Sequence, residues 1–223
     1  MTDPTLTDTT IYISNVAIHE PMTAFTDVII AAIAFISFLK IPKGSEAFNY
    51  WRLFFLFFGL STLTGACAHG FFAVHEGWGY KIFWLPMQVL NGLAIYFAQR
   101  ATLASVLKDS KQYNAWKMSY MIQLVVYIIV LLIVQKFIVT IIDNALGLIP
   151  LMVVHLTATA KKDYYKYIGW GIAISFITAI VHGVKFSLHA YFNYNDIAHV
   201  FIMLSLITMF TGAKKGAQAF SKE

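Results

Sequence analysis

Residues 120–156 read YMIQLVVYIIVLLIVQKFIVTIIDNALGLIPLMVVHL. A helix needs about 20 mostly apolar residues to cross a hydrocarbon core about 30 Å thick. This stretch is long enough for nearly two such crossings, and only Gln135-Lys136 offers a polar break between them. The reading is two antiparallel spans, 115–134 and 137–158, joined by a tight turn.

Working outward, five further stretches meet the same length requirement: 21–40, 48–74, 80–105, 165–190 and 195–213. The breaks between most spans carry charge or turn residues, as in KIPKGSEAFNY, VHEGWGY, KDSKQYNAWK, TATAKKDYYK and AYFNYND. The chain is 59% hydrophobic and 12% charged, against about 45–50% and about 25% in a soluble domain. The expected fold class is therefore all-α: a polytopic membrane protein with a bundle of seven transmembrane helices. Residues 1–20 carry no Lys or Arg and read as a polar tail without a signal peptide. Residues 21–213 form the membrane domain, and 214–223 read as a basic C-terminal tail. The single Cys67 excludes an internal disulfide.

Orientation follows from the basic residues. With seven spans, one side collects thirteen of the 16 Lys and Arg; Lys81 and Lys136 fall on the other, and Lys185 lies within the sixth span. The N-terminus is then outside and the C-terminus cytoplasmic. The net charge of +5 is explained by topology and calls for no nucleic-acid partner. The sparse cysteine and short tails are compatible with a bacterial inner membrane.

Ionisable residues inside spans are functional candidates, because placing them in lipid is costly. The topology puts His19, Glu20, Asp27, His69, Asp143, His182, Lys185, His189, Asn195, Asp196 and His199 in the outer half, and His155 near the cytoplasmic interface. Glu20, Thr23 and Asp27 are spaced i, i+3, i+7 and share a helix face; His182, Lys185 and His189 repeat that spacing. Asn195 and His199 are at i, i+4. These stripes suggest a polar cavity facing inward. Asn195 and Asp196 are also good N-cap residues for the seventh helix.

GLSTLTGACAHG (59–70), with His69 near the end of span two, and NYNDIAHVF (193–201), with His199 at the start of span seven, carry a family likeness. The pattern resembles the alkaline ceramidase and progestin/adiponectin receptor superfamily. The resemblance implies a seven-helix fold, zinc held between helices two and seven, and hydrolysis of a lipid amide or ester. Glu20 in HEPMTAFTD is similar to the acid that opens the first helix of ceramidase-like members. The chain departs from the pattern at three places. Asn195 stands for the first histidine of the span-seven motif, and Gly65 for a serine, with Ser61 one turn back. Span three offers Gln88 and Asn91 where the family has an aspartate.

Catalytic zinc is usually held by three protein ligands with an open fourth position. Imidazole suits the ion and a neutral amide oxygen does not. The expected metal-site residues are therefore His69 and His199, completed by His182 or a carboxylate such as Asp196, with Asn195 at the motif position. Glu20 and Asp27 are the candidates for proton transfer, and Ser61 for the missing serine. A membrane lipid is the expected substrate or ligand. Two alternatives stay open: a non-catalytic lipid-binding or receptor-like protein of the same fold, and a membrane cytochrome with haem between two histidines. Span seven has no lysine for a retinal Schiff base. A transporter is a further alternative: acids and bases in an outer cavity suit proton coupling, while no internal repeat encourages it.

Overall fold

The computed structural model describes residues 9–72, 78–106, 108, 110–157 and 162–221, with backbone alone for 78–80. Most of the VHEGWGY break and the basic residues Lys161 and Lys222 lie outside the described residues. The chain begins with a hairpin, β1 (Ile11–Ile13) and β2 (Val16–Ile18). Ser14 and Asn15 turn it at φ 48° and 69°, the two consecutive positive values that a tight two-residue hairpin turn needs. Part of the stretch read as a polar tail is thus folded.

Helix α1 (Pro21–Lys40) starts with proline in its first turn, where a missing N–H costs nothing. Helix α2 (Glu46–Cys67) is capped by Ser45, whose Oγ accepts from Phe48 N at 3.3 Å. It widens into a π-helical turn over Ala68–Phe72, a form that often marks functional sites. Helix α3 spans Trp78–Val106. Helices α4 (Tyr113–Val134) and α5 (Phe137–Leu156) are separated by Gln135 in the left-handed region, φ 52°, which reverses the chain in two residues.

The expected sixth span is interrupted. Helix α6 (Asp163–Ser175) and α7 (Ile177–Val184) meet at Phe176. Ser175 Oγ donates to Ile172 O and Thr178 Oγ1 to Ser175 O, both at 2.6 Å; such bonds back to the main chain bend helices. Lys185, at φ 50°, ends α7 short of the predicted residue 190. The final helix, α8 (Tyr194–Phe220), runs through Lys214 and Lys215, so most of the predicted C-terminal tail is helix.

Among the described residues, six lengths are long and apolar enough to cross a membrane: Pro21–Lys40, Glu46–Phe72, Tyr113–Val134, Phe137–Leu156, Asp163–Val184 and Tyr194–Phe220. Helix α3 is not among them, although it has 29 residues. Gln88, Asn91, Gln99 and Arg100 dilute its hydropathy, and all four are hydrogen-bonded. Gln88 Oε1 accepts from Thr140 at 2.8 Å, Asn91 Nδ2 donates to Asn144 at 2.7 Å, and Gln99 Nε2 donates to Gln123 at 2.9 Å. Arg100 donates to the hydroxyls of Tyr96 and Tyr50.

Neighbouring helices close a ring in the order α1, α2, α3, α5, α6, α8 and back to α1, with α4 outside against α3 and α5. Trp51, Phe55, Ile30, Ile168, Ile172 and Leu206 lie at its heart, each almost wholly buried. Where α6 crosses α8, a Cβ on Gly212 would come within 2.5 Å of Tyr164 O, so only glycine allows that approach. The outer faces are apolar: Val125, Val126, Ile129, Leu132 and Ile133 of α4 are all exposed. That inversion of the soluble pattern is how a bundle meets lipid.

Candidate functional site

Helix α1 touches α2, its π-helical turn and α8, and the polar residues of four elements converge along it. Glu20 precedes Pro21, so its side chain is the first on the face that continues through Thr23 and Asp27. Its Oε2 lies 2.6 Å from His69 Nδ1. The backbone joins the same contact, because Glu20 N donates to His69 O at 3.3 Å and His19 N to Gly70 O at 2.9 Å. The π-helical turn therefore offers two carbonyls and the His69 imidazole to the entry of α1. Trp84 of α3 packs edge-on against that ring at 5.9 Å.

One turn further along, Thr23 Oγ1 donates to Asp196 Oδ1 at 3.0 Å. Thr26 Oγ1 stands 2.7 Å from His199 Nδ1 and also 3.0 Å from the carbonyls of Met22 and Thr23. A hydroxyl has one proton. When that proton goes to a main-chain carbonyl, Thr26 accepts the Nδ1–H of His199, and the lone pair of the imidazole is left on Nε2. This tautomer is read from the hydrogen-bond network. His199 Nε2 faces Asp27 Oδ1 at 3.6 Å. That is too long for a hydrogen bond and near the separation, about 3.3 Å, of two ligands each 2.0–2.1 Å from one tetrahedral zinc. Asp27 is buried, and a Cβ on Gly65 would lie 3.1 Å from its Oδ2 and from Met87 Sδ.

Glu20, Asp27, His69, Asp196 and His199 are thus brought together: Asp27 and Asp196 feel the charges of Glu20 and His69, and His199 feels those of His69 and His182. Their donor types suit a metal ion, and Asp27 with His199 has the spacing of two ligands. His69, whose charge acts on both Asp27 and His199, is the candidate for a third, its Nδ1 held by Glu20 as outer-shell carboxylates hold ligating histidines. Among the described residues, no three His, Cys, Asp or Glu side chains already stand in a metal-holding group.

The other expected residues make different contacts. Ser61 Oγ donates to Met87 O at 2.8 Å, tying α2 to α3. His182 is exposed on α7, edge-on to Tyr194 at 5.5 Å; its charge reaches His199, although among the described residues it makes no hydrogen bond to the cluster. Asn195 is not the cap of α8. Asn193 is, and it accepts from Asn195 N at 2.8 Å while Asp196 Oδ2 accepts from Asn193 N at 2.7 Å. Both oxygens of Asp196 are therefore occupied, one by the cap and one by Thr23, which makes it a brace between helices.

Asp143, expected in the outer half, and His155, expected at the cytoplasmic interface, belong to other settings. Asp143 is buried in a separate network, accepting from Gln123 Nε2 at 2.9 Å, and Gln123 in turn accepts from Gln99. His155, read as interfacial, is fully buried and bonded to Thr102 at 2.9 Å. Sequence reasoning missed Thr26 and Asn193. The signal for Asn193 was present: Asn-x-x-Asp at 193–196 has the spacing of a capping box.

Fold and site together define a helical protein with membrane-crossing character and a buried acid–histidine cluster between its first, second and last helices. The chain belongs to the family described as "Family of unknown function (DUF6962)", whose profile matches residues 22–218. No curated protein and no solved structure matches it.

Proposed function

We propose that the chain crosses the membrane seven times, with α3 as the seventh span, its N-terminus outside and its C-terminus in the cytoplasm, in a bacterial inner membrane. We further propose that it is a divergent ceramidase-like hydrolase that cleaves a lipid amide or ester with zinc. The observation that carries this reading is the pair Asp27 and His199, 3.6 Å apart with no hydrogen bond between them. A carboxylate facing an imidazole lone pair is unfavourable unless a cation or proton lies between them.

Asp27 and His199 would hold the zinc, with His69 as third ligand. Zinc bound there supplies Lewis acidity toward water and toward a carbonyl oxygen. Glu20 holds the His69 imidazole by its Nδ1 and, as the carboxylate nearest the hairpin end, is the group to take and return protons. Thr26 sets the tautomer of His199. Asp196 and Thr23 keep α8 in register with α1. A lipid would approach between the helices with its tails along the apolar outer faces. Fatty-acid release from a lipid panel that includes ceramide tests the reaction: Glu20→Gln and His199→Ala should each abolish it, and activity surviving both would refute the site.

The second reading is a lipid-binding or receptor-like protein without catalysis. Its support is Asn195 in place of the motif histidine, together with the 2.6 Å contact that already satisfies Glu20 and His69. It requires a folded protein that binds lipid and takes up no metal. The cytochrome alternative requires a haem Soret band in the purified protein, and a colourless preparation eliminates it.

A further inference from the structure

Helix α1 is 20 residues long, so Phe38 in its last turn lies about 17 Å from Asp27 and about 27 Å from Glu20 along the axis. There it meets the start of α2 around a groove of about 350 Å³, lined by Phe38, Lys43, Asn49, Arg52 and Leu53. Arg52 Nε donates to Phe38 O at 3.1 Å, and its guanidinium carbon lies 4.9 Å from the centre of the Phe38 ring. The guanidinium is thereby held in place, while its Nη groups have no partner among the described residues. Lys43 is exposed and has none either. Glu46 is the one acid between residues 41 and 53, and it is occupied by Tyr113 at 2.9 Å, Lys108 at 3.8 Å and Arg100 at 3.9 Å. The groove therefore holds two uncompensated cations and an amide.

Its surroundings distinguish it from a plain basic surface. Phe38 and Leu53 give the groove an apolar lining, and Leu39, next to Phe38 in the last turn of α1, is 72% exposed, so apolar surface for an acyl chain lies beside the charges. The groove also lies at the end of a membrane-crossing length, the depth of lipid phosphates. Basic pockets between helices at that level suit anionic headgroups, and the fork of an arginine suits phosphate oxygens. We propose that this groove binds the headgroup of an anionic phospholipid, with Arg52 and Lys43 on the phosphate and Asn49 on its polar substituent. The proposal is independent of the hydrolase reading and of which side of the membrane this end faces.

The test uses the full chain in a neutral detergent, titrated with phosphatidylglycerol, phosphatidylcholine or inorganic phosphate and read by native mass spectrometry and thermal midpoint. Phosphatidylglycerol should be retained and should stabilise the protein; the other two should not. Lys43→Gln should weaken its binding about fivefold, the contribution of one basic residue at an anionic surface, and Lys117→Gln, an exposed charge on α4, should leave it unchanged. Arg52→Gln should weaken it further. Because that variant also loses the bond to Phe38 and could misfold, Lys43→Gln decides the matter alone. Equal binding by Lys43→Gln and Lys117→Gln, or equal retention of phosphatidylcholine, overturns the proposal. Stabilisation by inorganic phosphate to the same extent also overturns it, because the ligand would then be a free anion.

Discussion

Gly65 and Glu20 show how much of the cluster depends on single side chains. A Cβ at Gly65 sits 3.1 Å from Asp27 Oδ2, close enough to press on the carboxylate. Gly65→Val should displace Asp27 and abolish lipid cleavage with the helices still folded. Gly65→Ser should be far milder, because its hydroxyl can donate to the oxygen it meets. A valine variant with full activity would show that Asp27 does not take part. Glu20 acts through His69 Nδ1, so Glu20→Gln should lower zinc affinity about 10–100-fold, the usual effect of losing an outer-shell carboxylate. Metal titration with a competing chelator measures this, and unchanged affinity would remove Glu20 from the site. The acids and histidines of this cluster were legible in the sequence, because intramembrane charge is rare enough to stand out. Thr26 was not legible: threonine is common in membrane helices, and its role depends on which ring nitrogen of His199 it meets.

At the scale of the element, helix ends carry the energetics that can be tested. Asn193 and Asp196 satisfy each other's backbone at the start of α8. Asn193→Ala should cost about 1 kcal/mol, a fall of about 2–4 °C in thermal midpoint for a chain of this size. An unchanged midpoint would mean that the cap contributes nothing in detergent. Gln135 ends α4 in the left-handed region at φ 52°, where a side chain costs about 1–2 kcal/mol. Gln135→Gly should therefore raise the midpoint, whereas a drop would mean that the side-chain bond from Gln135 Nε2 to Leu132 O outweighs the strain. The Gln135-Lys136 turn was readable because two polar residues interrupt a long apolar run. The break at Phe176 was not, because serine and threonine bend a helix only through bonds that the apolar pattern does not encode. The hairpin at 11–18 escaped for a related reason: each strand has only three residues, too few for alternation to register.

For the whole molecule, apolar length in the sequence marked out the six helical stretches that are long enough to cross a membrane, while their direction rests on charge asymmetry alone. Helix α3 shows where that method weakens. Its amides and Arg100 are spent on neighbours in α2, α4 and α5, so a helix packed against three others looks less hydrophobic than those with exposed apolar faces. Reporter fusions at the two termini should place them on opposite sides of the membrane; termini on the same side would mean that α3 does not cross. The cluster between α1, α2 and α8 is where the topology and the chemistry meet. The most direct test is the zinc content of the full chain after gentle purification. Wild type should carry about one zinc per chain, and Asp27→Asn and His199→Ala should carry none while remaining folded. A folded wild-type protein without zinc, or full zinc retained by both variants, would contradict the metal site.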